Sequence, residues 1–231
     1  RKGIDATQYT EFGLVNSDDV VPFSADEFIM RYNELKAIDG EDEIMVITPS
    51  NAQALGYNEI IRHNKYGATN LPVQVGDLLL ITHNNYSQEN VLFNGSFVRV
   101  HSVCNEVETQ YAFVGDERIA IRFRSVEVLI NGAPFEYYIL EDFLTEREGR
   151  LSQKMRKALW ANFAQRMREE KITPKMKEFN MRKRMDPYFN ALHCKYGYAI
   201  TCHKSQGGEW KNAACWHNCG GRCMNKVMVK D

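Results

Sequence analysis

Residues 198–210, with the sequence YAITCHKSQGGEW, constrain the fold more than any other part of the chain. The first four residues are aromatic, small or β-branched, which is typical of a short buried strand. The next seven, residues 202–208, are small or polar and include two glycines. The pattern therefore predicts a buried strand that runs directly into a polar loop, and loops at such positions commonly carry function.

The loop is rich in groups that bind phosphate. It offers hydroxyl, imidazole, ammonium and amide groups, from Thr201, His203, Lys204, Ser205 and Gln206. Gly207 and Gly208 would let the backbone approach a ligand closely, and Glu209 and Trp210 add an acceptor and a stacking face. An ordinary strand-to-helix connection is the alternative. A turn does not require so many polar groups, so we favour the functional interpretation.

Residues 75–100 are predicted to form β-structure. An apolar run at residues 78–81 precedes a turn around Asn84 and Asn85, and Asn94-Gly95 then separates two further apolar runs. Asn-Gly between apolar runs is a strong hairpin signal, so we interpret Asn94 as a turn residue. Tyr86 has two interpretations: stacking on a nucleobase, or half-buried packing. Asn85 carries the same ambiguity.

A strand followed by a helix is predicted upstream. Residues 43–48, EIMVIT, form a short apolar strand that ends at Pro49. Ser50 and Gln53 then have the spacing of a capping box, and the helix they would start carries apolar residues through Ile61. Gly67 fits the end of this helix.

Positive charge is concentrated in one segment, although the net charge of the chain is −1. Residues 147–195 hold 14 Lys and Arg against 5 Asp and Glu. Apolar residues recur every four positions there, at Leu151, Met155, Leu159, Phe163 and Met167, which predicts a helix with an apolar stripe. A second helix is predicted after Pro174, over residues 176–185. The basic residues are either a solvated face or a surface for a polyanion.

The loop at residues 201–210 resembles motif V of the superfamily 1 helicases. The pattern T-x-H-x-x-x-G-x-E-[FW] is matched by Thr201, His203, Gly207, Glu209 and Trp210, and HKSQG resembles the RecD-like branch. In that family the motif lies in the second RecA-like motor domain, between ATP and single-stranded nucleic acid. The resemblance implies that Thr201 and His203 face the strand, whereas Gly207 and Glu209 face the nucleotide.

Two further segments resemble the same family. The run VGD…NNY…FNG…V in residues 75–100 is similar to the start of the small β-barrel inserted in RecD-like helicases. The order strand-Pro49-Ser50-Asn51-helix-Arg62 resembles motif IV, which implies that Arg62 senses nucleotide. The implied nucleic-acid contacts are then Thr201, His203, Lys204, Ser205, Gln206, Asn85 and Tyr86. The implied ATP contacts are Gly207, Gly208, Glu209 and Arg62.

These resemblances imply an α/β fold, namely the second RecA-like motor domain of a UvrD/RecD-like DNA helicase. The expected regions are a first motor part at 1–74, an inserted β-barrel at 75–145, a basic helical extension at 146–190 and a second motor part at 191–231. The sequence has no G-x-x-x-x-G-K-[ST] loop and begins at Arg1. We therefore expect an upstream RecA-like motor domain, ATP and Mg²⁺ to complete the enzyme, with single-stranded DNA as partner.

Other interpretations remain open. One is a non-catalytic module that binds single-stranded nucleic acid, and another is a zinc-dependent interaction domain. Four residues of the last segment, Cys215, His217, Cys219 and Cys223, are of the types that bind zinc, although their spacing matches no common finger. The sequence contains no apolar run approaching the ~20 residues of a membrane span and no secretory signal, so we expect a cytoplasmic protein without a membrane partner.

Overall fold

The computed structural model describes residues 20–86, 90–219 and 222–229, with side chains described for 23–86 and 90–215. These residues form a mixed α/β protein. The strands are β1 (Val20–Phe23), β2 (Ile44–Thr48), β3 (Leu78–Ile81), β4 (Phe97–Val103), β5 (Glu108–Val114), β6 (Glu117–Ile130), β7 (Ala133–Leu140), β8 (Cys194–Tyr196), β9 (Ala199–Thr201), β10 (Asn212–Cys219) and β11 (Arg222–Val229). The helices are α1 (Phe28–Asp39), α2 (Asn51–Tyr66), α3 (Gln153–Glu169) and α4 (Lys177–Met185).

The local signals for helix α2 are confirmed. The Ser50 hydroxyl accepts a hydrogen bond from the Gln53 N–H at 3.3 Å, so Ser50 satisfies one of the unpaired donors at the helix start. Gly67 ends the helix with φ of 77°, a left-handed conformation that favours glycine, and its N–H donates to the His63 carbonyl at 2.8 Å.

The helical prediction for the basic segment is also confirmed. Ser152 caps α3 by accepting from the Met155 N–H at 3.1 Å. Leu159, Phe163 and Met167 are buried, so the apolar stripe packs into the core. Phe163 and Met167 join Ile172 and Phe179 in one hydrophobic cluster that ties α4 to α3.

The chain divides into two compact units, of which the smaller comprises residues 1–45 and 209–231. Within it, β1 pairs with β11 and β11 pairs with β10, both antiparallel. Helix α1 buries Phe28 and Tyr32, and the Phe28 ring stacks on Phe23 with centroids 6.3 Å apart. The Asn212 amide, at the start of β10, donates to the Asp39 carboxylate at 2.9 Å.

The larger unit comprises residues 46–208 and contains the candidate site. In it β2 and β9 are parallel neighbours, with Val46, Ile47 and Thr48 paired to Ala199, Ile200 and Thr201. A second, antiparallel sheet has the order β5-β6-β4-β3-β8, and β7 also pairs with β6.

One hydrophobic cluster of the larger unit lies between helix α3 and the β5–β6 hairpin. Ile121, Phe123, Phe143, Ala158 and Leu159 are buried together there. Full burial of one large apolar side chain contributes about 1.5–3 kcal/mol, so this cluster fixes the basic segment firmly on the sheet. Within the described part of the chain, every helix is too short or too polar to cross a lipid bilayer.

Candidate nucleic-acid interface

The candidate site lies where two parallel strands end. β2 ends at Thr48 and β9 at Thr201, and the Cys202 N–H donates to the Thr48 carbonyl at 2.9 Å. Helix α2 begins just after β2, capped by Ser50, while the polar loop follows β9. Ligands of open α/β sheets bind at the carboxyl ends of the strands, so this edge is the expected place for a site.

Asn58 of helix α2 fixes the start of β9. Its side-chain oxygen accepts from the backbone N–H groups of Tyr198 and Ala199 at 2.9 and 3.0 Å, and its amide nitrogen donates to the Ala199 carbonyl at 2.9 Å. Asn58 is buried, so these bonds are shielded from water. Through them, α2 determines where the loop after β9 begins.

The loop itself is a series of tight turns. The N–H groups of Lys204 and Ser205 both donate to the Thr201 carbonyl, at 2.8 and 3.1 Å, and the Gly208 N–H donates to the Ser205 carbonyl at 3.0 Å. Gly207 has φ of +83°, which L residues rarely adopt. His203 and Gln206 are exposed, so the loop presents polar side chains to solvent.

A cleft of about 790 Å³, here named the threonine cleft, lies over this edge. Its lining includes the start of α2, Thr201, His203, Lys204, Arg147 and Arg150. The first N–H groups of a helix lack intrahelical acceptors and attract anions. Glu148 is the carboxylate among its described lining residues.

The side chain of Lys204 is held in place by a hydrogen bond. Its ammonium donates to the side-chain oxygen of Asn94, the residue predicted to serve a turn. Asn94 does lie in a turn, where Gly95 has φ of 99°, and it also holds this lysine. Partial burial and the neighbouring Arg150 guanidinium lower the pKa of Lys204. Lys204 and Arg150 both line the threonine cleft, and two cations that repel each other favour binding of an anion near them.

The threonine cleft continues into two others. A linking cleft of about 380 Å³ shares Thr82, Asn94 and Arg150 with it. A third cleft of about 690 Å³, the tyrosine cleft, shares His83, Arg156 and His193 with the linking cleft. The three clefts together are named the basic groove.

Four arginines line the basic groove, namely Arg147, Arg150, Arg156 and Arg184. Within the described part of the chain, none of them forms an ion pair. Other arginines are neutralised, such as Arg124 by Glu141. From the sequence, these arginines could be identified only as members of the basic segment. The available signal was the high density of positive charge in that segment.

Two predicted strand contacts have different environments. Asn85 is buried, and its amide donates to the Asn190 carbonyl at 2.6 Å, so it holds the groove wall together. Tyr86 is 65% exposed, and its hydroxyl accepts from the Asn84 amide at 2.8 Å. Tyr86 therefore has the accessible ring that stacking requires.

The predicted nucleotide contacts have different environments. Arg62 is buried, with donors directed to Asp77 and to the carbonyls of Leu71 and Pro72. This geometry gives Arg62 a structural role in its own unit. Gly207 and Gly208 are exposed at the end of the larger unit, and Glu209 begins the second segment of the smaller one.

The zinc prediction lies largely outside the described side chains. Those of His217, Cys219 and Cys223 are not described, and the strand register pairs Cys219 with Arg222 and Cys223 with Asn218. Cys215 is partly buried. Among the side chains that are described, no three His, Cys, Asp or Glu residues cluster as a metal site.

Comparison with protein families gave no match to any family. Comparison with curated proteins likewise gave no match.

Proposed function

We propose that the basic groove binds the sugar–phosphate backbone of a single nucleic-acid strand. The observation that carries the proposal is the row of four groove arginines, none of which has a carboxylate partner among the described residues, together with Lys204 in the same cleft as Arg150. Unpaired cations along a groove attract phosphates, and the release of counterions from the strand then drives binding. Thr201 and His203 add a hydroxyl and an imidazole at one end.

On this proposal the chain is the strand-contacting part of the second RecA-like motor domain of a superfamily 1 helicase, in its RecD-like branch. The parallel pairing of β2 with β9, followed by α2 and the polar loop, supports that assignment. The antiparallel sheet then corresponds to the inserted small β-barrel, and α3 with α4 to the basic extension. The partner strand is single-stranded DNA.

The chain's own residues fit only part of a nucleotide site. Gly207 and Gly208 are exposed, as phosphate-side contacts must be, but Arg62 is already engaged with Asp77. In the helicase proposal an upstream RecA-like motor domain provides the remaining contacts to ATP and Mg²⁺. ATP hydrolysis would supply the free energy for stepping, while the loop after β9 holds the strand.

The second candidate function is a strand-binding module without catalysis. The internal engagement of Arg62 favours it, because the buried guanidinium of the predicted nucleotide sensor already donates to Asp77 and to the carbonyls of Leu71 and Pro72. Nucleotide binding distinguishes the two functions. The measurement is made together with the upstream motor domain that the helicase proposal requires, because the chain alone holds only part of the site. A fluorescent ATP analogue that binds and shifts strand affinity then favours the motor, whereas indifference to nucleotide favours the module.

The groove proposal is tested by titrating fluorescein-labelled oligothymidylate with the chain at several salt concentrations. If about five phosphates are neutralised, the slope of log affinity against log salt is roughly −3 to −4, at about −0.7 per contact. Arg150→Ala should weaken binding and flatten the slope. Arg168→Ala is the matched control, because Arg168 is exposed on α3 and does not line the groove. Absence of binding at low salt, or binding insensitive to salt, contradicts the proposal.

A further inference from the structure

The two ends of the basic groove differ in chemistry. The threonine cleft is lined by hydroxyl and cationic groups, whereas the tyrosine cleft adds Tyr86, His83, His193 and Phe189 to its arginines. Phosphates are bound by cations and hydroxyls, whereas unpaired bases stack on aromatic rings. The change in lining along one groove separates a phosphate-binding end from an end with aromatic faces.

The exposed ring of Tyr86 is held in place by a chain of hydrogen bonds. Its hydroxyl accepts from the Asn84 amide at 2.8 Å, and the Asn84 oxygen accepts from the Asn94 N–H at 2.7 Å. The Asn94 oxygen in turn accepts from the ammonium of Lys204 in the loop after β9. The chain of bonds therefore connects the aromatic end of the groove to its phosphate-binding end.

His83 provides a second aromatic face. Its ring stacks on His193 with centroids 5.5 Å apart and planes at 27°. His193 is backed by the edge of Phe143 at 6.0 Å, so the inner ring is fixed while His83 is exposed. Burial, together with the charges of His83 and Arg156, lowers the pKa of His193 to about 4, so the inner ring is neutral at physiological pH.

We propose that Tyr86 and His83 form a base-stacking subsite for one or two unpaired nucleotides, whose phosphates lie on Arg156 and Arg184. The subsite rests on the proposed function, because it extends the same strand beyond the threonine cleft. The hydrogen-bond chain from Lys204 places the Tyr86 ring at a fixed distance from the phosphate contacts. An oriented ring stacks without first losing rotational freedom, which favours binding.

The test compares oligothymidylate with an oligonucleotide of equal length whose sugars carry no bases. Tyr86→Ala should weaken binding of oligothymidylate roughly tenfold, within the range measured for loss of one stacking ring, and leave the abasic strand unaffected. Because phosphate contacts remain, the salt slope should not change. Tyr86→Phe retains the ring and should retain most of the affinity.

Tyr111→Ala is the matched control. Tyr111 is also exposed, at 47%, but it lies on β5 outside the groove and should leave both affinities unchanged. Arg147→Ala, in the threonine cleft and outside the hydrogen-bond chain, should weaken binding of both oligonucleotides equally and flatten the salt slope. That contrast assigns base recognition to one end and phosphate recognition to the other.

The possible failures are distinguishable. If wild type binds both oligonucleotides equally, or Tyr86→Ala weakens both alike, the subsite is refuted while the groove proposal stands. If wild type binds neither at low salt, both proposals are refuted. If thymidine monophosphate displaces oligothymidylate at similar concentrations, the cleft is a mononucleotide pocket and the strand subsite is refuted.

Discussion

Arg62 donates to both carboxylate oxygens of Asp77, with Nε 3.0 Å from Oδ1 and Nη2 2.9 Å from Oδ2. The arginine and aspartate side chains are 7% and 0% exposed. The guanidinium lies over the Tyr196 ring at 3.9 Å, and the Tyr198 hydroxyl donates to Asp77 at 3.0 Å. Although burial opposes it, hydrogen bonding to Asp77 raises the pKa of Arg62 above its usual range.

We therefore expect Arg62→Met to destabilise the chain by about 3–5 kcal/mol, because an unpaired carboxylate would remain buried. Urea unfolding measures the loss. The double variant Arg62→Met with Asp77→Leu removes both charges and should recover part of the stability. If Arg62 instead served nucleotide sensing, the single variant would unfold like wild type and lose affinity for an ATP analogue.

The Lys204–Asn94 contact leads to a second prediction. Lys204→Met removes one cation from the groove, so the slope of log affinity against log salt should become shallower by about 0.7. Asn94→Ala leaves the cation but removes its acceptor, and should lower affinity with an unchanged slope. Anisotropy titrations of both variants at four salt concentrations check this difference. Equal slopes for Lys204→Met and wild type would exclude Lys204 from phosphate contact.

The lowered pKa of His193 predicts how the stability of the chain depends on pH. Its folded pKa of about 4 lies below the ordinary 6.5, so between these values the unfolded chain binds a proton that the folded chain excludes. Stability should therefore fall as pH decreases from 6.5 to 4 and gain nothing further from this residue above 6.5. The full loss is roughly 3 kcal/mol, at about 1.4 kcal/mol per pKa unit.

The measurement is urea unfolding of wild type and His193→Gln across that pH range. The difference in unfolding free energy between the two proteins isolates this histidine from the carboxylates that titrate in the same range. The stability of wild type relative to His193→Gln should fall as pH decreases from 6.5 to 4. A constant difference would show that His193 protonates equally well in the folded chain.

Replacement of two glycines by alanine should change the stability of the chain in opposite directions. A Cβ at Gly197 would lie 3.0 Å from Phe97 Cδ1 and 3.3 Å from Leu78 Cγ, so Gly197→Ala should cost about 1–3 kcal/mol through overpacking. Gly56 lies inside α2 with open space around it, so Gly56→Ala should stabilise the chain by about 0.5–1 kcal/mol. Thermal unfolding compares them. Adding Phe97→Leu should relieve the Gly197→Ala defect if the ring is its cause.

The sequence by itself determined the local elements. The Ser50 cap and Gly67 fixed the ends of α2, and Asn94-Gly95 marked the turn before β4. The four-residue apolar repeat located α3. These signals succeed because caps, left-handed glycines and helical periodicity act over a few neighbouring residues. The strand before the polar loop was predicted for the same reason.

Only the tertiary structure decided which side chains meet. Arg62 is separated from Asp77 by 15 positions and Lys204 from Asn94 by 110, and no local pattern encodes either pairing. An arginine at a helix end has the same sequence appearance whether it faces solvent or a buried carboxylate. Its role depends on which face of α2 packs against residues 71–77, and that packing is set by the burial of the whole unit.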